Sequence, residues 1–246
     1  MFTDLNNVLA AGSVMPQLIG IGEKFVDSSF LIHHFISFYL KHDMNVVLIS
    51  FSQAFNHFNG VGTKIGSNLS KAKEVSTFCF IDGLRNLGQC LNAGPPAGES
   101  PWSKCVVNGV IDTTLLLNAL ITEIKDFTKA ADTSKKTAVI IDNISSLIDT
   151  GIKPKDVIKL LHYMKVFIRE DFNGSLVTGC ISDETDEDHV IVSNFMQHTV
   201  DLFLLAKGLE TGYCKDVHGQ VGHFMYNVAY GHLFTRGFCR RRTFVC

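Results

Sequence analysis

Eight residues leaving a short apolar run form the first stretch of this sequence whose types and spacing suggest chemistry. Gly22-Glu23-Lys24-Phe25-Val26-Asp27-Ser28-Ser29 joins the run at 17–22 to a helical pattern. In that setting a glycine-rich loop and a helix N-terminus cradle phosphate. Against the spacing G-x-x-x-x-G-K-[ST], Gly22 and Ser29 match, but Asp27 stands at the second glycine and Ser28 at the lysine. Both replacements work against phosphate. The second glycine supplies backbone angles and a close approach that a side chain blocks. The Asp27 carboxylate would repel a phosphate charge about 4 Å away by about 4 kcal/mol at an effective dielectric of 20. Lys24 is the one cation in the loop and reads as a solvated residue.

The complementary acid is Asp142, which ends the apolar run Ala138-Val139-Ile140-Ile141 where a Mg²⁺-associated aspartate would stand. Asn143 follows it instead of a second acid. With the loop altered, Asp142 reads first as a residue that turns the chain. A nucleotidase in which Lys24 replaces the missing lysine and Asp142 holds Mg²⁺ is the second choice.

Other reactive groups have plainer explanations. Cys214, Asp216 and His218 share the segment 208–220 (GLETGYCKDVHGQ), and a thiol hydrolase using Cys214 and His218 is a third choice. Three glycines within that segment, between two strand patterns, make it a hairpin loop first, since catalytic Cys and His usually come from distant parts of a chain. The run 183–188 (DETDED) holds five acids without the interleaved glycine and spaced final acid of a calcium loop, so a solvated, mobile loop is expected. His33 and His34 are neighbours on a helix and point apart, as packed or capped residues do. Lys153, Lys155, Lys159 and Lys165 give one helix a basic side, the best candidate in the folded body for RNA contact.

The 246-residue chain is 46% apolar and 19% charged, which suits a packed globular fold and excludes disorder. No apolar run is long enough to span a membrane. Arg236, Arg240, Arg241 and Arg242 are four of six arginines; the remainder of the chain holds 18 basic and 24 acidic side chains, a balance of −6. Such a body does not wrap a polyanion over its whole surface, so RNA binding is expected to be feeble and confined to Lys155 and Lys159 or to Arg240, Arg241 and Arg242. Seven cysteines, odd in number and without a C-x-x-C pair, read as free thiols of the cytosol or nucleus. The opening MFTDLNNVLAAG, with its early Asp4 and short apolar run, is not expected to be a signal peptide.

The elements that would position these groups alternate. Strands are expected at 17–22, 46–50, 77–81, 137–142, 175–182, 200–207 and near 221–230, the early ones nearly continuous in apolar residues, as buried parallel strands are. Helical stripes run through Ile32, Phe35, Ile36, Tyr39 and Leu40, with Ser28 or Ser29 as N-cap. Two more run through Leu117, Leu120, Ile121 and Ile124, and through Val157, Leu160, Leu161, Met164, Phe167 and Ile168, the last opened by Pro154. The alternation predicts an α/β fold with right-handed crossovers. The Gly/Pro-rich stretch 88–101 reads as a long surface loop.

Two segments carry a family resemblance. Residues 28–41 (SSFLIHHFISFYLK) and 208–220 resemble the most distinctive segments of the Elongator complex protein 6 family. The opening Phe2-Thr3-Asp4-Leu5-Asn6-Asn7, the strand with Ile140-Ile141-Asp142, the His162-Tyr163 helix and the acidic run are similar as well. The resemblance covers about residues 1–220 and implies a RecA-like fold: a central, mostly parallel sheet with helices on both faces. It also implies a hetero-hexameric ring with the fourth and fifth Elongator subunits, attached to the larger subunits of an assembly that modifies wobble uridines of tRNA. The sixth subunit is there a non-catalytic scaffold and tRNA-handling module without a cofactor, in the cytoplasm and also the nucleus. After Gln220 this sequence leaves the family pattern, which divides it into a RecA-like domain over 1–220 and a divergent C-terminal strand and basic tail over 221–246.

Overall fold

The computed structural model describes residues 5, 6, 9, 16–93, 100–208 and 220–225. Seven strands form one sheet: β1 (Leu18–Lys24), β2 (Asn45–Ser50), β3 (Phe78–Asp82), β6 (Thr137–Ile141), β7 (Ser175–Ile181), β8 (Leu202–Lys207) and β9 (Gln220–Met225). Their order is β3-β2-β6-β7-β1-β8-β9. All pairings are parallel except that of β8 with β9. The strand expected near 221–230 is thus β9, antiparallel at the sheet edge. β4 (Val106–Val107) and β5 (Val110–Ile111) make a separate hairpin. Its turn is Asn108-Gly109, both with positive φ (52° and 77°), the pair that a two-residue primed turn favours.

Helices cover both faces. On one face α1 (Ser29–Lys41), α2 (Phe55–Lys64) and α3 (Leu69–Glu74) bury Phe35, Phe58 and Leu69 against Ile19, Ile21, Val46, Leu48, Ala138 and Ile140. On the other face lie α4 (Gly83–Ala93), α5 (Thr113–Ala130), α6 (Ser146–Asp149), α7 (Pro154–Phe172) and α8 (Glu187–Thr199). These pack Leu87, Leu120, Leu147, Leu160 and Val192 with Val47, Ile49, Val139 and Ile141. Successive residues of β2 and β6 enter opposite cores, because strand side chains alternate. Residues 46–49 and 138–141 are therefore all apolar, and no alternation shows in their sequence.

Several expectations need correction. The loop expected at 88–101 is helical through Ala93 at its start. At its end a 3-10 turn over Pro101–Lys104 is capped by Ser100, which accepts from Trp102 N, and buries Trp102. The acidic run is only partly loop. Asp186 caps α8 by accepting from Asp188 N and His189 N, and Glu187 and Asp188 fill the first turn. Carboxylates are favoured there because the helix macrodipole is positive at its N-terminus. α1 is buried nearly all round, His33, His34 and Ser37 included. No described helix is long and apolar enough to cross a membrane.

Candidate functional site

The C-terminal ends of β1 and β6 lie on one edge of the sheet, where open α/β folds place their ligands. β7 separates the two strands, which sets them about 9–10 Å apart at ordinary strand spacing. This edge carries both candidates, the 22–29 loop and Asp142.

In the loop, the chain's own carboxylates take the positions that a phosphate would need. Glu23 accepts from Ser28 N at 3.1 Å and Ser28 Oγ at 3.0 Å. Asp27 accepts from Ser29 N at 2.7 Å and Ser29 Oγ at 2.9 Å. Two amides at the mouth of α1 are thereby satisfied internally. Ser28 occupies the N-cap position, but its hydroxyl donates to Glu23 and makes no cap to α1, contrary to the capping role expected of it. Burial raises the Glu23 carboxyl above its ordinary value, and the bonds from Ser28 oppose that rise.

Lys24 is not a solvated loop lysine. Its Nζ lies 2.6 Å from Glu184 Oε1, in the acidic run, and its side chain is 22% exposed. The bond from Lys24 holds the Glu184 carboxyl below its usual value. The only cation of the loop is thus turned to a carboxylate. Backbone bonds from Ser182 N to Glu23 O and from Gly208 N to Lys24 O fix the loop on β7 and β8. Gly22 is required by packing: a Cβ there would lie 2.6 Å from Ser182 Oγ and 2.7 Å from Phe203 Cζ. At the loop tip, Phe25 has φ 57° and is 74% exposed. A bulky residue with positive φ is an outlier that only a constrained backbone maintains.

Asp142 faces β2. Its carboxylate accepts from Ser50 Oγ, from Phe51 N at 2.9 Å, from Ser52 Oγ at 2.6 Å and from Asn143 N at 2.6 Å. The residue is buried. An aspartate that helped to hold Mg²⁺ would need an oxygen directed at the ion or its water. Here both oxygens are engaged by donors that close the turn after β2. Next to it Gly179 admits the backbone closely, since a Cβ there would lie 2.0 Å from Asp142 O. Neither the loop nor Asp142 fits Mg²⁺–nucleotide in this arrangement. Among the described residues no cluster of three or more His, Cys, Asp and Glu is placed to hold a metal ion.

The remaining candidates are spread out. Lys155 and Lys159 lie in the first turns of α7, and Lys159 Nζ is 3.0 Å from Asp156 Oδ1. Lys165 donates to Thr199 O at 2.9 Å, so the basic side of α7 is partly engaged in packing. Arg240, Arg241, Arg242, Cys214 and His218 lie outside the described residues. The four described cysteines are free. Burial pushes the Cys79 thiol up to about 11 and those of Cys105 and Cys180 up to about 12, away from nucleophilic thiolate. Burial also pushes His33 and His34 down to about 4. The closure of Glu23 on Ser28 and the serines around Asp142 escaped the sequence reading. For the first, an acid directly after the last glycine of β1 was the available signal.

Residues 2–231 match the family model of Elongation complex protein 6, so the similarity runs past Gln220. Elongator complex protein 6 of Rattus norvegicus is 33% identical over 233 residues, covering 90% of this chain and 85% of that protein. The Xenopus tropicalis protein is 29% identical over 238 residues, covering 94% and 88%. Among solved structures, an uncharacterized Pyrococcus horikoshii protein in complex with an unknown peptide superposes with a TM-score of 0.63 at 12% identity, covering 91% of this chain and 89% of that one. A KaiC-like protein from the same archaeon gives 0.55 at 10% identity, covering 95% and 86%. At such identities these two speak for the fold alone, a RecA-like one.

Proposed function

The chain belongs to the Elongator complex protein 6 family, and on that premise we propose that it is a non-catalytic subunit whose phosphate loop has been converted into a structural and contact loop. In this reading it joins the fourth and fifth Elongator subunits in a hetero-hexameric ring. The ring acts in the cytoplasm, and also the nucleus, as scaffold and tRNA-handling module of wobble-uridine modification. The observation that carries the reading is the internal satisfaction of the Ser28 and Ser29 amides by Glu23 and Asp27. A helix N-terminus that binds a polyphosphate leaves such amides open to the ligand. Here an introduced phosphate would have to displace two carboxylates of like charge.

The loop retains value as a surface. Phe25 stands out from it, and the backbone beneath is fixed by bonds to both neighbouring strands. An exposed, pre-ordered aromatic is the kind of group that anchors an interface at low entropic cost. tRNA contact by this chain alone is weak and sensitive to salt, through Lys155 and Lys159 or through Arg240, Arg241 and Arg242, because few phosphates can be neutralised by a body of net negative charge.

Co-expression with the fourth and fifth subunits, followed by mass measurement of the purified complex, tests the reading. Two copies of each chain in one particle are expected. A monodisperse monomer that binds neither partner would refute it.

A further inference from the structure

A surface cavity of about 390 Å³ lies where the first turns of α5 and α7 meet the β4–β5 hairpin and α4, and none of its lining residues belongs to the β1–α1 loop. Leu91, Val110 and Ile111 give its lining an aliphatic part, and Lys153 and Lys155 a cationic part. We propose that this cavity docks a short acidic peptide segment of a partner protein, one that presents a branched apolar side chain beside carboxylates. The site is separate from the loop assigned above to assembly and does not depend on it; Lys155 is shared with the tRNA contact proposed above, and the test below tells the two occupants apart.

Charge is the first argument. Neither Lys153 nor Lys155 has an ion-pair partner among the described residues, and both are exposed. Asp156, the one carboxylate of the lining, is already paired with Lys159 at 3.0 Å. The lining thus carries two unpaired cations and one anion that is already neutralised, in a chain whose net charge is −2. A positive surplus beside an apolar wall selects an anionic partner and repels basic ones.

Apolar exposure is the second argument. Val110 is 66% exposed and Leu91 42%. The apolar surface extends past the cavity: Leu84, seven residues before Leu91 on α4 and so on the same helix face, is 49% exposed, and Val107, opposite Val110 in the hairpin, is 47% exposed. A strip of this kind is longer than a small metabolite needs and matches an extended or helical peptide laid along it. The lining is aliphatic and has no aromatic ring. Proteins that hold single-stranded nucleic acid stack bases on aromatic side chains, so the observations favour a peptide over RNA.

Selection of random phage-displayed dodecapeptides against the full chain tests the proposal. The recovered peptides are then measured by fluorescence anisotropy. They should share aspartate or glutamate next to leucine, isoleucine or valine, and their affinity should fall as salt rises. The doubly reversed variant Lys153→Glu/Lys155→Glu should weaken them by about 100-fold, at roughly tenfold for each lysine. Val110→Asp should weaken them by about tenfold or more. Lys129→Glu/Lys136→Glu, an equal charge change at exposed lysines outside the lining, should leave binding as it was. All these side chains are exposed, and an unchanged thermal melt confirms that each variant is folded. Absence of an acidic–aliphatic consensus, or peptides that bind wild type and variants alike, would overturn the proposal. So would tRNA binding that is lost in the lysine double variant without any peptide selected, since the cavity would then serve RNA.

Discussion

Two carboxylates stand at strand ends on the same edge of the sheet, and they are held in opposite ways. Asp142 is buried with five donors converging on it from two segments, and it ties the turn after β2 to the end of β6. Glu23 has one partner residue, Ser28, and burial raises its carboxyl because those two bonds only partly offset the lost hydration. In a nucleotide-binding sheet these two places would face one ligand together. Here each acid is turned inward to its own local structure, one as a hub and one as a plug. A residue type at a familiar position therefore says little until its hydrogen bonds are traced.

The hub and the plug should respond very differently to mutation. Asp142→Ala leaves the Ser52 hydroxyl and the Phe51, Ser52 and Asn143 amides without this acceptor, while the Ser50 hydroxyl keeps Gln53 O, and should lower stability by about 3 kcal/mol or more, read in a urea titration. A loss below about 1 kcal/mol would mean that the hub is dispensable. Gly22→Ala, which forces a Cβ against Ser182 and Phe203, should cost about 1–3 kcal/mol through overpacking.

The pH dependence separates the regions further. His33 and His34, in the helix behind the loop, titrate at about 4 when folded, against 6.5 for an exposed histidine. Below pH 6.5 the unfolded chain takes up these protons first. Stability should therefore decline from pH 6.5 down to about 4, and His33→Gln should blunt the decline. Glu23 acts with the opposite sign. Its raised value means that the folded state binds the extra proton, so its contribution falls as pH rises above 4.5 and levels off past the raised value. Glu23→Gln should flatten that component, visible as a change of slope in stability against pH.

The smallest effect belongs to Phe25. Phe25→Gly relieves a left-handed backbone that costs a side chain about 1–2 kcal/mol, less the extra flexibility that glycine gives the unfolded chain. The isolated chain should gain up to about 1 kcal/mol, while the proposed complex with the fourth and fifth subunits should weaken. Gain in both would remove Phe25 from the interface.

The buried strands were legible because double-sided burial leaves unbroken apolar runs, as at Val46–Leu48 and Val139–Ile141. The stripe of α7 was legible because all six of its apolar residues are buried. α2 was not, since only Phe58 and Gly62 are buried along its ten residues and two glycines interrupt it. α8 was hidden because its N-terminus is built from the acidic run that reads as a loop. The hairpin at Asn108-Gly109 carries a turn signal, but its strands, Val106–Val107 and Val110–Ile111, are too short to show a strand pattern. At the site, the altered loop spacing was visible in the sequence. The engagement of Asp142 was not, since Ser50 and Ser52 lie 92 and 90 residues away and meet it only across the sheet.

Titration of Mg²⁺–ATP into the purified chain, followed by calorimetry, puts the plugged edge to the most direct trial. No saturable heat is expected up to millimolar nucleotide, for the wild type and for Asp142→Asn alike. Micromolar binding by the wild type that disappears in Asp142→Asn would contradict the account and make this edge a working nucleotide site.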